Sequence, residues 1–339
     1  METADPITVD VPALEAVRPQ VDAELVSFLE RQRSEVAAVH EDGRALVDEL
    51  LRLVGAGGKR IRPALCYWGH RAAGGSDGHP IVRAAASLEL LHTFALVHDD
   101  VMDRSDRRRG VATTHARFSA AAPSVPDAGH HGTSIAILVG DVAAVLADRM
   151  FLEAGFAPEP TAAAKQRYDR MRVEMAVGQF LDLSTDRADV ELASRISELK
   201  TGSYTIEGPL QIGALLAGAP VGLLAGLAAF GRPLGEAFQV RDDLAGLLEG
   251  EADLAQGRPT WILARARERL STEEITAVSR GPADAAATTL RDAGVLDAAA
   301  HRANALVDDA IGALDGAGLA DEPADALRSI ARAVQVRPR

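Results

Sequence analysis

The sequence predicts an all-α protein, and three observations carry that prediction. Ala, Leu, Arg and Glu, all good helix formers, dominate the chain. Apolar residues recur at helical spacing, while alternating β-branched runs are rare. The breaks between apolar segments are short Gly- and Pro-containing loops with no shift in composition that would mark a linker. Long helices are expected over about residues 19–54, 79–105, 133–155, 161–184, 189–217 and 234–248, with shorter ones after 259. The breaks fall at GAGG (55–58), AAGGSDGHP (72–80), APSVPDAGHHG (122–132), FAPEP (156–160) and EGEADLAQGRP (249–259). One helical domain over 19–339 is expected, with 1–18 as a loose arm. Residues 209–230 run without a charge for a length that could span a bilayer. Gly218-Ala219-Pro220 interrupts them, and two buried helices with Pro near the start of the second are the expectation. METADPITVDVPALE carries acids where a signal peptide has its positive region.

Composition narrows the function. The 339 residues are 47% hydrophobic and 25% charged, with a net charge of −13. That balance argues against a nucleic-acid binder, which needs a basic footprint. An anionic substrate can bind only where local cations or metal override the overall field. The single Cys, Cys66, excludes an intrachain disulfide and a Cys-based zinc site, and suits a reducing cytoplasm. All but three of the 36 basic residues are Arg, the exceptions being Lys59, Lys165 and Lys200.

Within LHTFALVHDDVMDRSDRRRG (91–110), Asp99, Asp100 and Asp103 follow a DDxxD pattern. Residues i and i+4 share a helix face, so Asp99 and Asp103 project together with Asp100 on their flank. Hard oxygen ligands on one face suit Mg²⁺, which keeps several waters and is commonly shared with substrate phosphates. A solvated acidic helix end is the alternative. Arg107, Arg108 and Arg109 follow directly, and guanidinium groups fork onto phosphate oxygens. Acids for a metal beside arginines for phosphate make a diphosphate site. Asp242 and Asp243 in GEAFQVRDDLAG echo the first pair, but Gly246 takes the i+4 place, leaving two carboxylates. GQFLDL contributes Gln179 and Asp182, KTGSYT contributes Lys200 and Thr201, and GGKRIRP sets Lys59, Arg60 and Arg62 between a Gly pair and Pro63.

The order GGKRxRP, ELLHxFxLxHDDxMD…RRG, GD, GQxxDL, KT and FQxxDD resembles the trans-isoprenyl diphosphate synthases of the polyprenyl synthetase family, over about residues 50 to 265. RVEMAVGQFLDL and KTGSYTIEGPLQIG look particularly like actinobacterial geranylgeranyl diphosphate synthases. The resemblance implies a helical bundle around a deep central cavity between two facing aspartate clusters, and a homodimer. It implies that Asp99 and Asp103, flanked by Asp100, hold two Mg²⁺ on an allylic diphosphate that Arg108 touches. Lys59, Arg62, His92 and Arg109 are implied to bind isopentenyl diphosphate. Lys200, Thr201 and Gln239 are implied to lie near the leaving diphosphate and the reacting carbons, with Arg258 in the place of a second Lys that binds substrate. Asp242, with Asp243, Gln179 and Asp182 nearby, is implied to hold a third, weaker Mg²⁺. Bulk at Phe94 and Ala95 is implied to set product length, and one large and one small residue there point to C15–C20 products.

The chain departs from the family at Gly246, at Gly208 where Arg is common, and in a short segment after Asp243 that lacks the usual Lys. The expected function is Mg²⁺-dependent head-to-tail condensation of an allylic diphosphate with isopentenyl diphosphate. The alternatives are a class I terpene cyclase-like enzyme on the same scaffold, or a weakly active partner subunit of a heteromeric synthase. No nucleic acid and no membrane span are expected.

Overall fold

The computed structural model describes residues 11–108, 110–185, 189–249 and 259–336. Arg109 and Arg258 therefore lie outside the described residues. The chain is almost entirely helical, as its composition predicts, and it divides into two compact units. One comprises Leu14–Tyr67 and Asp77–Ala157; the other comprises Met1–Ala13, Trp68–Ser76 and Pro158–Arg339. The sequence predicts a single domain over 19–339.

The first unit holds α2 (Arg18–Val39), α3 (Arg44–Gly55), α5 (His79–Met102), α6 (Thr114–Ala121) and α7 (Ala128–Leu152), together with the first turns of α4 (Ile61–Ala72). The helix expected over 19–54 is two helices. His40 leaves helical dihedrals (φ −160°, ψ 134°) and its ring accepts a hydrogen bond from the Asp42 amide, so the polar HEDG sequence turns the chain. α5 is the central helix and packs along α7. It opens on Gly78 with Pro in its first turn, where the missing N–H costs nothing. Residues Ile81 to Leu91 are buried apart from Arg83. α5 is also the one helix among the described residues long and apolar enough to cross a membrane. Its apolar window is 67% buried, which is the property of a core helix.

The second unit holds α8 (Pro158–Ser184), α9 (Val190–Ser197), a π-helix (Glu198–Glu207), α10 (Gly208–Leu216), α11 (Val221–Glu249), and α12 (Trp261–Arg269) to α16 (Asp321–Arg332), with α13 (Thr272–Arg280), α14 (Ala283–Asp292) and α15 (Val295–Asp315) between them. α11 lies against the π-helix and α15. The charge-free stretch 209–230 breaks where the sequence predicts. The Ala219 amide bonds the Ala214 carbonyl, the Gly218 amide bonds that of Leu215, and Gly218 takes φ +76°. This is a Schellman cap with Pro directly after it. α11 extends further than expected, beginning at Val221 and running through Pro233 rather than beginning at 234. The Gly-Arg-Pro triplet reads as a breaker by local rules, and packing overrides it. The proposed arm is not loose over its described part. Pro12–Glu15 forms a short helix (α1), Val11 and Val17 are buried, and the Trp68 indole N–H donates to the Ala13 carbonyl at 2.8 Å.

His70 on α4 is buried, with Nδ1 3.3 Å from the Gly213 carbonyl. Burial pushes its pKa below 6.5, against the pull of its backbone acceptors. The unfolded chain therefore takes up the proton first. Stability is fully present above pH 6.5 and falls as pH drops toward the depressed folded value, by at most about 1.4 kcal/mol per pH unit. Urea midpoints at pH 7.5, 6.5 and 5.5 should show this slope, and His70→Asn should flatten it.

Candidate active site

The first acidic motif ends α5. Asp103 is its C-cap, and Arg104 takes the left-handed region at φ +53°. With the Ser105 amide on the Asp100 carbonyl at 3.0 Å, that residue reverses the chain. A two-residue hairpin follows, β1 (Arg107–Arg108) against β2 (Val111–Ala112), with Gly110 at φ +76°. The hairpin carries Arg108 back over the acids it follows. Its Nε donates to Asp100 Oδ1 at 2.7 Å and its Nη2 to Asp99 Oδ2 at 3.3 Å. Burial lifts the Asp100 pKa above the ordinary carboxylate value, against the pull of Arg108. Burial works against the charge on Arg108, but Asp100, Asp99 and Asp103 outweigh it and raise its pKa. Asp99 and Asp103 thus share one face of the helix end, while Asp100 is turned to the guanidinium.

Two contacts fix this helix end. His98 Nε2 lies 3.1 Å from the Ile137 carbonyl, and its ring occupies the space where a Cβ on Gly140 of α7 would stand, 2.2 Å away. Glu49, whose side chain is fully buried, accepts from Arg52, from the Thr114 hydroxyl at 2.9 Å and from Arg117 at 2.8 Å. It thereby anchors the start of α6 directly after the hairpin.

The basic loop is held in the same unit. Gly57 (φ +83°) and Arg60 (φ +51°) both take left-handed backbone. A non-Gly residue there signals strain held by its surroundings. Arg60 is buried and donates to Asp22 at 2.7 Å, to Glu89 at 2.7 Å and to the Val54 carbonyl at 2.8 Å. It ties the loop to α2, α5 and the end of α3. By sequence Arg60 is one member of a basic cluster. Its distinct role has no local signal, because Asp22 and Glu89 are far away in sequence. His92 is half-buried on α5, two turns before Asp99 and on the same face. Phe94 is half-buried with its ring edge-on to His98, centroids 4.8 Å apart, so it is not part of the closed core. Ala95, one turn before Asp99, shares that acid's face more nearly.

The second unit gathers the other candidates. Lys200 Nζ donates to Asp182 Oδ2 at 2.8 Å. The Thr201 hydroxyl donates to Gln239 Oε1, and Gln239 Nε2 donates to Asp243 Oδ1 at 2.7 Å. Asp242 accepts from the buried Arg241 at 2.8 Å. Gln179 lies one turn before Asp182 on α8. Motifs up to 64 residues apart in sequence, GQFLDL, KT and FQVRDD, therefore form one polar cluster in which each acid already faces a donor.

The motif order and this grouping agree with a match over residues 44–288 to the family described as polyprenyl synthetase. The chain belongs to the polyprenyl synthetase family. It is a prenyltransferase of the prenyl diphosphate synthase kind. It is similar to a geranylgeranyl pyrophosphate synthase from Corynebacterium glutamicum, solved with isoprenyl diphosphate and magnesium. That structure is 32% identical, with a TM-score of 0.88 over 96% of this chain and 99% of the other. A geranylfarnesyl diphosphate synthase from Aeropyrum pernix is 32% identical over 76% of this chain and 83% of its own length. A (2E,6E)-farnesyl diphosphate synthase from Mycobacterium bovis is 36% identical over 62% of this chain, a match that takes in 55% of the mycobacterial protein.

Proposed function

We propose that this polyprenyl synthetase condenses an allylic diphosphate with isopentenyl diphosphate, head to tail, to give a C15–C20 prenyl diphosphate. The observation that carries this reading is the end of α5, where Asp99 and Asp103 share a face and Arg108 folds back beside them. Hard carboxylate oxygens suit Mg²⁺. No group of three or more His, Cys, Asp or Glu side chains converges in metal-binding geometry among the described residues. Mg²⁺ held by one or two carboxylates takes the rest of its shell from water and substrate phosphate. Bound there, Mg²⁺ supplies positive charge to the diphosphate as it leaves.

Asp99 and Asp103 hold two such ions, and Arg108 adds a fork of donors to the same diphosphate. Lys59, Arg62, His92 and Arg109 bind isopentenyl diphosphate. Lys200 and Thr201, with Gln239 behind Thr201, steady the charge that grows on the leaving group. Arg258 contributes a cation to substrate binding. The carbon–oxygen bond to the allylic diphosphate breaks, the isopentenyl alkene attacks the cation, and the leaving diphosphate takes the proton. Because Arg241 and Gln239 already engage Asp242 and Asp243, a third Mg²⁺ at that motif, near Gln179 and Asp182, binds more weakly than the first two. The protein works as a homodimer in the cytoplasm. Leu138, Val145 and Leu152 support the dimer, since they form an exposed apolar stripe at seven-residue spacing along α7.

Incubation with isopentenyl diphosphate, each allylic primer and Mg²⁺, read by mass, tests the reading. C15 or C20 diphosphates are expected. Hydrocarbon from an allylic diphosphate alone would show a cyclase, and no product without a second protein would show a partner subunit. Phe94→Ala should lengthen the product with the fold intact, because a five-carbon unit needs about the space of a large side chain and packed protein does not yield it cheaply.

A further inference from the structure

Lys200 and Thr201 sit on a π-helix, Glu198–Glu207, between the α-helical stretches α9 and α10. Its wider hydrogen-bond step is uncommon, occurs mostly as single turns, and recurs at functional sites. Ten residues in this register need a cause, because the α alternative is available to the same backbone.

Part of the cause is space. A Cβ on Gly178 of α8 would stand 2.7 Å from the Lys200 amide nitrogen. One on Gly235 of α11 would stand 2.3 Å from Gly202 Cα, and one on Gly208 would meet Met171 Sδ at 2.4 Å and the Ser203 carbonyl at 2.5 Å. Glycines on both sides thus let a wide helix fit. This also accounts for Gly208 itself, since the site has no room for a side chain.

The remaining cause is polar. Ser203 is buried, and its hydroxyl donates to Glu174 of α8. Arg167 Nη2 donates to the same hydroxyl oxygen at 3.1 Å and Nη1 to Glu174 at 3.4 Å, while Arg170 Nε donates to Glu174 at 2.8 Å. Burial works against the Glu174 charge, but Ser203, Arg170 and Arg167 outweigh it and hold its pKa below the ordinary carboxylate value. Glu174, Gly178 and Asp182 fall at i, i+4 and i+8, one face of α8. That face meets the π-helix at three points: Glu174 at the Ser203 hydroxyl, Gly178 at the Lys200 backbone, and Asp182 at Lys200 Nζ. Lys200 and Ser203 are three residues apart, and a change from π to α register changes the angle between them. Both bonds to α8 can be made together only in a register that suits both.

We propose that Glu174 is a positioning residue for the prenyl transfer: through Ser203 it holds Glu198–Glu207 in the π register and so places Lys200 on Asp182 and Thr201 on Gln239. The inference rests on the reading that Lys200 acts at the leaving diphosphate. Glu174→Gln keeps the shape and removes the charge, and Ser203→Ala removes the bond. Hydrogen exchange on the full chain should quicken about tenfold or more across 198–207 in both variants, with α5 and α7 unchanged. kcat should fall about 10- to 100-fold in both, with KM for isopentenyl diphosphate unmoved. The deciding measurement is a mutant cycle. If Glu174 acts through Lys200 and Thr201, then Glu174→Gln should cost almost nothing further in a Lys200→Ala/Thr201→Val background. A full additional loss there, or unchanged exchange over 198–207 in both single variants, overturns the proposal. If Lys200→Ala alone keeps full turnover, the role given to Lys200 falls, and the exchange data alone then decide whether Glu174 sets the register.

Discussion

Asp99→Ala is expected to slow prenyl transfer about 10³-fold, roughly 4 kcal/mol at 1.36 kcal/mol per decade. The expectation comes from the division of labour at the end of α5. Asp100 is buried against Arg108, while Asp99 and its i+4 neighbour Asp103 share the face on which we propose that the metal-bound diphosphate sits. Removing Asp99 takes one of two ligands, and Mg²⁺ rarely finds a substitute because it demands near-octahedral oxygen geometry. The fold should survive, since Arg108 keeps its shorter bond to Asp100. Thermal melting separates the cases without any turnover. The wild-type protein should gain stability from Mg²⁺ with inorganic diphosphate, and Asp99→Ala should gain much less while melting normally alone. Near-wild-type turnover in the variant would remove Asp99 from the site.

The second large effect is on stability. Arg60→Ala should cost about 3–5 kcal/mol in urea unfolding, the penalty for leaving one member of a buried ion pair uncompensated. Glu89 becomes that member, because its side chain is only 10% exposed and its partner's 3%. The Val54 carbonyl also loses its donor from Arg60. A comparison isolates the backbone. Ala still has to adopt φ near +51°, whereas Gly does so freely, so Arg60→Gly should be less damaging than Arg60→Ala by about 1 kcal/mol. Both variants should raise KM for isopentenyl diphosphate through displacement of Lys59 and Arg62. Equal stability of wild type and Arg60→Ala would show that the loop stands without its anchor.

Helicity and most boundaries were legible because their causes are local. A Gly that can take φ +76°, followed by Pro220, ends a helix wherever it occurs. The two breaks that local rules misplaced show their limit. HEDG turns the chain at His40 although an apolar pattern continues on either side. Pro233 fails to end α11, because the surrounding contacts stabilise the helix by more than one missing hydrogen bond costs.

The sequence by itself determined the all-α class, the family motifs, and the placement of Asp99 and Asp103 on one helix face. Helix period and turn chemistry depend only on neighbours in the chain. Only the tertiary structure decided which acid serves which partner. Asp100 goes to Arg108 because a left-handed Arg104 and a short hairpin fold the arginine back. Arg60 becomes an anchor because Asp22 and Glu89 meet it from two other helices. Lys200 faces Asp182 because Glu198–Glu207 runs in the π register. The choice between an α and a π step is a small difference in backbone energy. Here it falls to glycines at 178, 208 and 235 and to the half-buried carboxylate of Glu174 on another helix, most of them far from KTGSYT in sequence.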